Sequence, residues 1–154
     1  DFEKYTSART NYEGVAFLQK TFPERTVISF ELNKSDVEPR DNALHLDCCF
    51  QPIGKDQALI YPSGFKNEDD VQFLVDYFGE ENIIEITRDE MYNMNSNLFS
   101  ISPEVIVSEK GFTRLNEELR RRGFTVEEIP YAEIAKMEGL LRCSTLPLRR
   151  KYND

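Results

Sequence analysis

Apolar and polar residues alternate along the chain in short segments that repeat from residue 43 onward. Runs of β-favouring residues between turn residues predict strands, and apolar residues at every third or fourth position predict helices. The order strand, strand, helix, strand occurs twice. The predicted elements of the first unit are a strand 43–49, a strand 57–61, a helix 67–78 and a strand 82–87; those of the second are a strand 97–101, a strand 104–108, a helix 112–122 and a strand 124–129.

Glycine residues mark both units in the same way. Gly64 and Gly111 precede the two predicted helices, and Gly79 and Gly123 follow them where a left-handed residue ends a helix. The markers recur after roughly 45 residues, which indicates a repeating ββαβ unit. Two unrelated α+β segments with coincidental glycines are the alternative.

The flanking segments resemble incomplete copies of this unit. Before it the sequence predicts a helix 11–21, with Asn11 as a plausible N-cap, and a strand 26–32; after it, a short helix 131–137 and a strand 141–148. Such units bury their faces against neighbours. We therefore expect the chain to be part of a larger ring or array.

Composition mainly excludes classes of function. With 154 residues and 40% hydrophobic content, the chain can form one domain with a sizeable core. A formal net charge of −9 disfavours binding to nucleic acid. There is no apolar stretch of about 18 residues, so we expect no membrane insertion and a cytoplasmic location. Three cysteines, an odd number, fit reduced thiols better than a disulfide framework.

The only histidine lies in the predicted strand 43–49. Alternation along a strand would place His45, Asp47 and Cys49 on one face. If that face packed against an ordinary hydrophobic core, leucines would be expected at these positions. His45 and Asp47 are therefore either a general acid/base with its carboxylate, or a core histidine whose hydrogen bonds are made by neighbouring groups.

Cys143 follows Gly139 and a Leu-Leu pair, at a predicted loop-to-strand junction. A thiol there can be partly exposed and reactive, whereas Cys48 and Cys49 in mid-strand are typical of small buried hydrophobes. Cys143 is the better candidate nucleophile, with an ordinary core thiol as the alternative. Near the start of the chain, Arg9 could form a two-pronged contact with a carboxylate ligand or simply be a surface arginine.

A metal site of His45, Cys49 and Cys143 is a further alternative. The spacing matches no common zinc pattern and only three ligands are available, so we expect neither a metal nor a cofactor.

Three motifs together resemble the guanidine-modifying enzyme superfamily of arginine deiminases, dimethylarginine dimethylaminohydrolases and amidinotransferases. They are RTN at 9–11 with Gly14, HLD at 45–47, and GLLRCS at 139–144. The family fold is a five-unit α/β propeller of ββαβ units around a central site. The resemblance implies that 1–154 is the C-terminal portion of one such domain. It would then be an incomplete, pentein-like α/β propeller whose N-terminal half is absent.

The resemblance also implies a role for five residues. Cys143 matches the nucleophile and His45 the general acid/base. The residues matched to substrate binding are Asp47, which would hold the guanidinium, Arg9, which would grip the substrate α-carboxylate, and Glu138, in the loop that shapes the pocket. Asn97 falls in a region near the family's site and receives no role.

The expected activity is cysteine-dependent hydrolysis of the guanidine group of arginine or a derivative, through a covalent thiouronium intermediate. The alternatives are transfer of the amidino group to an amine and a non-catalytic interaction domain or fragment. The family's Glu-Gly-Gly-Asp-type acidic segment does not occur here. We therefore expect little activity unless a complementary N-terminal half supplies those carboxylates. The expected protein partner is either such a half or a second copy in a homo-oligomer.

The motifs disagree about the subfamily. The RTNxxG and GLLxC patterns resemble dimethylarginine dimethylaminohydrolases, whereas Asp47 resembles the deiminases and amidinotransferases, in which a second carboxylate contacts the guanidinium. The exact small-molecule guanidine substrate stays open.

Overall fold

The computed structural model describes residues 10–137 and 139–149. Its helices are α1 (Tyr12–Thr21), α2 (Leu46–Cys49), α3 (Glu68–Phe78), α4 (Arg88–Tyr92), α5 (Thr113–Arg121) and α6 (Ala132–Ala135). Its strands are β1 (Phe50–Ile53), β2 (Gln57–Ile60), β3 (Ile83–Glu85), β4 (Phe99–Ser100), β5 (Val105–Glu109) and β6 (Thr125–Ile129). Short 3₁₀ helices span Pro39–Asp41, Pro62–Gly64 and Glu80–Asn82. Across these ranges, no helix has the length and apolar character that a membrane crossing requires.

The six strands form two three-stranded sheets with the same topology. In the first sheet β1 and β2 are antiparallel and β2 and β3 are parallel, and in the second β4, β5 and β6 repeat this order. The parallel strands of each sheet are connected through one helix, α3 in the first unit and α5 in the second. The predicted ββαβ repeat is confirmed, and the chain has a mixed α/β fold.

The helices agree best with the sequence. Asn11 caps α1, because its side-chain oxygen accepts a hydrogen bond from the Gly14 N–H at 3.0 Å. Gly79 and Gly123 follow α3 and α5 with φ angles of 87° and 93°, in the left-handed region that favours glycine. The glycine signals therefore mark both helix ends correctly.

The predicted strand 43–49 is wrong. Its second half forms α2, and strand β1 begins only at Phe50. The backbone there is satisfied without a neighbouring strand: the Cys48 N–H bonds to the His45 carbonyl, and the Ser96 hydroxyl donates to the carbonyls of Asp47 and Cys48 at 2.7 and 2.9 Å. Tertiary hydrogen bonds thus override a β-favouring sequence.

Two other predicted strands are also wrong. Segment 26–32 is irregular and makes one isolated bridge, between Leu32 and Phe65. Segment 141–148 begins with a turn and continues without regular structure, because the N–H groups of Ser144 and Thr145 bond back to carbonyls three or four residues earlier. Helix α4 was not predicted, although the sequence carries its signal: Thr87 and Glu90 form a reciprocal capping box.

Both units contribute to one hydrophobic core. Leu59 and Ile84 of the first sheet belong to the same buried cluster as Ile106 of the second sheet and Leu115 and Leu119 of α5. The shared core means that the two repeats pack as one body rather than as separate modules.

Arg122, at the end of α5, connects the second unit to the first. Its guanidinium donates to the carbonyls of Glu81 and Ile83 at 2.7 and 2.8 Å, and to the Glu118 carboxylate at 2.6 Å. The Arg122 side chain is 22% exposed, whereas that of its neighbour Arg121 is 77% exposed. Within the described part of the chain, the one ion pair of Arg121 is with Glu118.

We expect Arg122→Met to lower the free energy of unfolding by about 1–3 kcal/mol, because two carbonyls and a carboxylate lose a charged donor. Arg121→Met is the matched control and should change it by less than about 0.5 kcal/mol, since exposed ion pairs contribute little. Urea denaturation followed by circular dichroism measures both. Equal losses in the two variants would contradict the bridging role of Arg122.

Candidate active site

His45 and Asp47 are brought together by the short helix α2. His45 is its N-cap residue and Asp47 lies in its first turn, with the His45 Nδ1 atom 3.9 Å from the Asp47 Oδ1 atom. Cys49, which strand alternation would place on the same face, is fully buried, and its sulfur donates to the Leu46 carbonyl at 3.5 Å. The helical turn therefore separates Cys49 from the pair.

Cys143 lies in a turn anchored by two buried leucines. Leu140 and Leu141 are buried, and the Leu140 carbonyl accepts hydrogen bonds from the N–H and the hydroxyl of Ser144 at 3.1 and 2.7 Å. Gly139 enters the turn with φ 115°, and a Cβ there would lie 3.0 Å from the Cys143 Cβ. Cys143 is therefore exposed, while the buried leucines and these hydrogen bonds hold the backbone of its turn.

Asn97 holds this turn through three hydrogen bonds. Its side-chain Oδ1 accepts from the N–H groups of Arg142 and Cys143 at 3.0 and 3.3 Å, and its Nδ2 donates to the Cys143 sulfur at 3.1 Å. The residue is only 3% exposed. The family resemblance placed Asn97 near the site without a role, and its Asn- and Ser-rich segment is more typical of a solvated loop than of a buried one.

The loop that carries Asn97 also contacts the His45–Asp47 turn. Ser96 is fully buried and donates to the carbonyls of Asp47 and Cys48. Two residues earlier, Met94 has φ 63°, an uncommon conformation for a residue other than glycine. Its carbonyl accepts from the Asn97 N–H at 2.9 Å. The loop therefore contains a strained turn at Met94. After this turn, Ser96 bonds to the His45–Asp47 turn and Asn97 bonds to the turn that carries Cys143.

Three of the predicted site residues line one small cleft. His45, Asp47 and Cys143 meet there, and the remaining lining residues are Cys48, Met91, Met94, Ser96 and Asn97. The cleft has a volume of about 20 Å³, which holds about one water molecule. Arg9 and Glu138, the other two predicted site residues, lie outside the described residues.

Asp47 lies between two cationic or potentially cationic groups. Besides His45, the Nε atom of Arg142 lies 3.6 Å from the Asp47 Oδ2 atom, and the Asp47 side chain is 28% exposed. Sequence reasoning included Arg142 in the GLLRCS motif without a role. The contact shows that this carboxylate, at the edge of the cleft, lies beside the guanidinium of Arg142.

The three thiols differ in their surroundings. Burial raises the pKa of Cys48, and the negative charge of Asp47 raises it further. Burial also raises the pKa of Cys49 strongly. Cys143 is exposed. Since the thiolate is the nucleophilic form, Cys143 is the best placed of the three to react.

The donor atoms of His45, Asp47 and Cys48 all lie within 4.8 Å of one another and could hold a metal ion. This is not the set considered from the sequence, because the structure buries Cys49 in the core and groups Cys48 with the histidine instead.

Comparison with known proteins identifies the family. The model of the family described as N,N dimethylarginine dimethylhydrolase, eukaryotic, matches residues 5–150, and the chain belongs to this family. This places it in the guanidine-modifying superfamily that the motifs resembled. The uncharacterized protein YkgA of Bacillus subtilis is 33% identical over 94% of this chain and 46% of its own length. The arginine deiminase of Oenococcus oeni is 27% identical over 82% of this chain and 37% of its own length.

Solved structures agree on the fold. The ternary complex of AgrE with ornithine and NAD+ superimposes with a TM-score of 0.77 and 25% identity, over 96% of this chain and 20% of that one. The amidinotransferase SxtG from Microseira wollei gives a TM-score of 0.70 at 18% identity, over 94% of this chain and 43% of that one, and shows likeness of fold alone. The chain spans less than half of the length of these relatives.

We expect iodoacetamide to alkylate Cys143 on the order of tenfold faster than Cys48 or Cys49 in the native protein, because burial both covers the other two thiols and raises their pKa. Peptide mapping by mass spectrometry after timed quenching measures the three rates. In urea the three should react at similar rates, which controls for local sequence. Native labelling of Cys48 as fast as Cys143 would show that the site geometry is wrong.

Proposed function

We propose that this chain carries the nucleophile of an enzyme that hydrolyses a carbon–nitrogen bond in the guanidine group of arginine or an arginine derivative. The observation that supports this most directly is the cleft itself: an exposed thiol, the only histidine and a carboxylate meet there from separate parts of the chain. The membership of the N,N dimethylarginine dimethylhydrolase family and the likeness to an arginine deiminase support the same chemistry.

The proposed reaction has two stages. In the first, the Cys143 thiolate attacks the central guanidinium carbon, and His45 gives a proton to the departing amine, leaving a covalent thiouronium on sulfur. In the second, His45 accepts a proton from water as its oxygen bonds to the same carbon. The carbon–sulfur bond then breaks, which restores the thiolate and releases a ureido product.

Asp47 is proposed to hold the guanidinium in place. A guanidinium is planar and cationic, and a carboxylate binds it through charge-assisted hydrogen bonds. The 3.6 Å ion pair between Asp47 and Arg142 supports this role, because Asp47 already contacts a guanidinium within the chain. A bound substrate would share Asp47 with Arg142 or displace it, which the 53% exposure of the Arg142 side chain permits.

We further propose that the chain is the C-terminal portion of one guanidine-modifying enzyme domain and so forms an incomplete pentein-like α/β propeller. Two successive ββαβ units and the greater length of the relatives support this. The described cleft holds about one water, so most of a substrate would lie outside its mouth. Contacts to that part are assigned to Arg9, to Glu138, and to a complementary N-terminal half or a second copy of the chain.

Amidino transfer is the second candidate, and it shares the first stage. An amine instead of water would then resolve the thiouronium. The exposure of Cys143 admits either nucleophile. Reaction in ¹⁸O-labelled water separates the two: a hydrolase puts the label into the ureido product, and a transferase forms an amidino-amine without it.

Labelling with a chloroacetamidine analogue of arginine tests the nucleophile. We expect one adduct per chain on Cys143, formed as the thiolate displaces chloride and detected by intact-mass spectrometry. The adduct should be lost in Cys143→Ser and slowed several-fold in His45→Ala.

Cys48→Ser is the matched control, because Cys48 lines the same cleft but is expected to be unreactive. It should label as the unmodified chain does. An adduct that persists in Cys143→Ser, or equal labelling of Cys143 and Cys48, would overturn the proposed function of this chain.

A further inference from the structure

The side chain of Asn97 makes one more hydrogen bond than it needs to hold the backbone of the turn that carries Cys143. Its Oδ1 atom alone holds the N–H groups of Arg142 and Cys143, yet its Nδ2 atom also donates to the Cys143 sulfur. We infer that Asn97 is a positioning residue that orients Cys143 and stabilises it as the thiolate. This inference rests on the proposed function, in which that thiolate attacks the guanidinium.

The orientation of the Asn97 amide follows from its partners. Two backbone N–H groups meet one end of the amide, and only an oxygen can accept from them. The opposite end, which faces the sulfur of Cys143, must therefore be the NH₂ group. The direction of the hydrogen bond toward the sulfur is thus set by the backbone of the turn and not by the sulfur itself.

The contact favours one charge state of the sulfur. A thiol sulfur is a weak acceptor, whereas a thiolate accepts strongly, so an N–H donor at 3.1 Å stabilises the anion more than the neutral form. Asn97 is buried, which strengthens this hydrogen bond by keeping water from competing for the donor. Because the amide is neutral, it provides this stabilisation without a counter-ion that would repel a cationic substrate.

The position of Asn97 is maintained by its loop. Its N–H donates to the carbonyl of Met94, and the preceding Ser96 is held by the carbonyls of Asp47 and Cys48. The donor therefore cannot move away from Cys143 without breaking several buried hydrogen bonds. This arrangement provides the donor before any ligand binds.

The test is Asn97→Asp, with the rate of Cys143 alkylation by iodoacetamide measured against pH by peptide mapping. One carboxylate oxygen can still accept from the two N–H groups, but the other faces the sulfur and repels its anion. We expect alkylation near neutral pH to slow on the order of tenfold, and the half-maximal rate to move about one unit to higher pH. The other titratable groups of the cleft, His45, Asp47 and Cys48, together with the adjacent Arg142, are unchanged in the variant.

Asn95→Asp is the matched control. Asn95 is also buried, lies in the same loop, and makes no described hydrogen bond to Cys143. It should leave the pH profile of Cys143 within about twofold of the unmodified chain. Thermal unfolding checks that each variant is folded. If Asn97→Asp fails to fold, Asn97→Ser replaces it. This variant removes the amide N–H that reaches the Cys143 sulfur and adds no charge, so a several-fold slowing is expected.

An unchanged pH profile in a folded Asn97 variant would overturn the inference, as would an equal shift in Asn95→Asp. Iodoacetamide needs no guanidine site, so this result is independent of the chloroacetamidine labelling. A shifted profile together with a chloroacetamidine adduct that persists in Cys143→Ser would leave the role of Asn97 toward the thiolate intact and contradict the proposed function alone.

Discussion

Two adjacent buried side chains, Ser96 and Asn97, hold two turns from distant parts of the chain in place. Ser96 donates to the backbone of the His45–Asp47 turn, and Asn97 accepts from the backbone of the turn that carries Cys143. Neither turn is part of a sheet, so strand pairing does not position it. The cleft between the histidine and the thiol therefore depends on these hydrogen bonds more than on the packing of either sheet.

The candidate residues occupy corresponding places in the repeat. His45 and Asp47 precede β1, the first strand of the first unit, and Asn97 precedes β4, the first strand of the second. Cys143 follows β6 and α6, the last regular elements of the described residues. Three segments that lie outside the sheets thus converge, and each adds a different group: imidazole and carboxylate, amide, and thiol. A repeated fold assembles an asymmetric site in this way, because the turns differ while the sheets are alike.

The sequence predicts regular elements better than it predicts the turns that form the site. The periodicity and end glycines of α3 and α5 are local signals, so both helices were predicted to within a residue at each end. The segment 43–49 carries a local β signal that is overridden by hydrogen bonds from Ser96, some fifty residues away in sequence. Two of the three motifs, HLD and GLLRCS, contain His45, Asp47 and Cys143, which the structure brings to one cleft. Asn97 and the contact of Arg142 with Asp47 were not predicted, because both depend on tertiary geometry that no local pattern records.

The central claim is that Cys143 forms a covalent bond to the carbon of a guanidine group. It is tested most directly by mixing the protein with arginine labelled at the guanidine carbon, quenching in acid, and mapping the label by peptide mass spectrometry. The account predicts label on the peptide that contains Cys143, none in Cys143→Ser, and less label in His45→Ala, because the departing amine then lacks its proton donor. Formation of a ureido product without label on Cys143, or label on another cysteine, would contradict it.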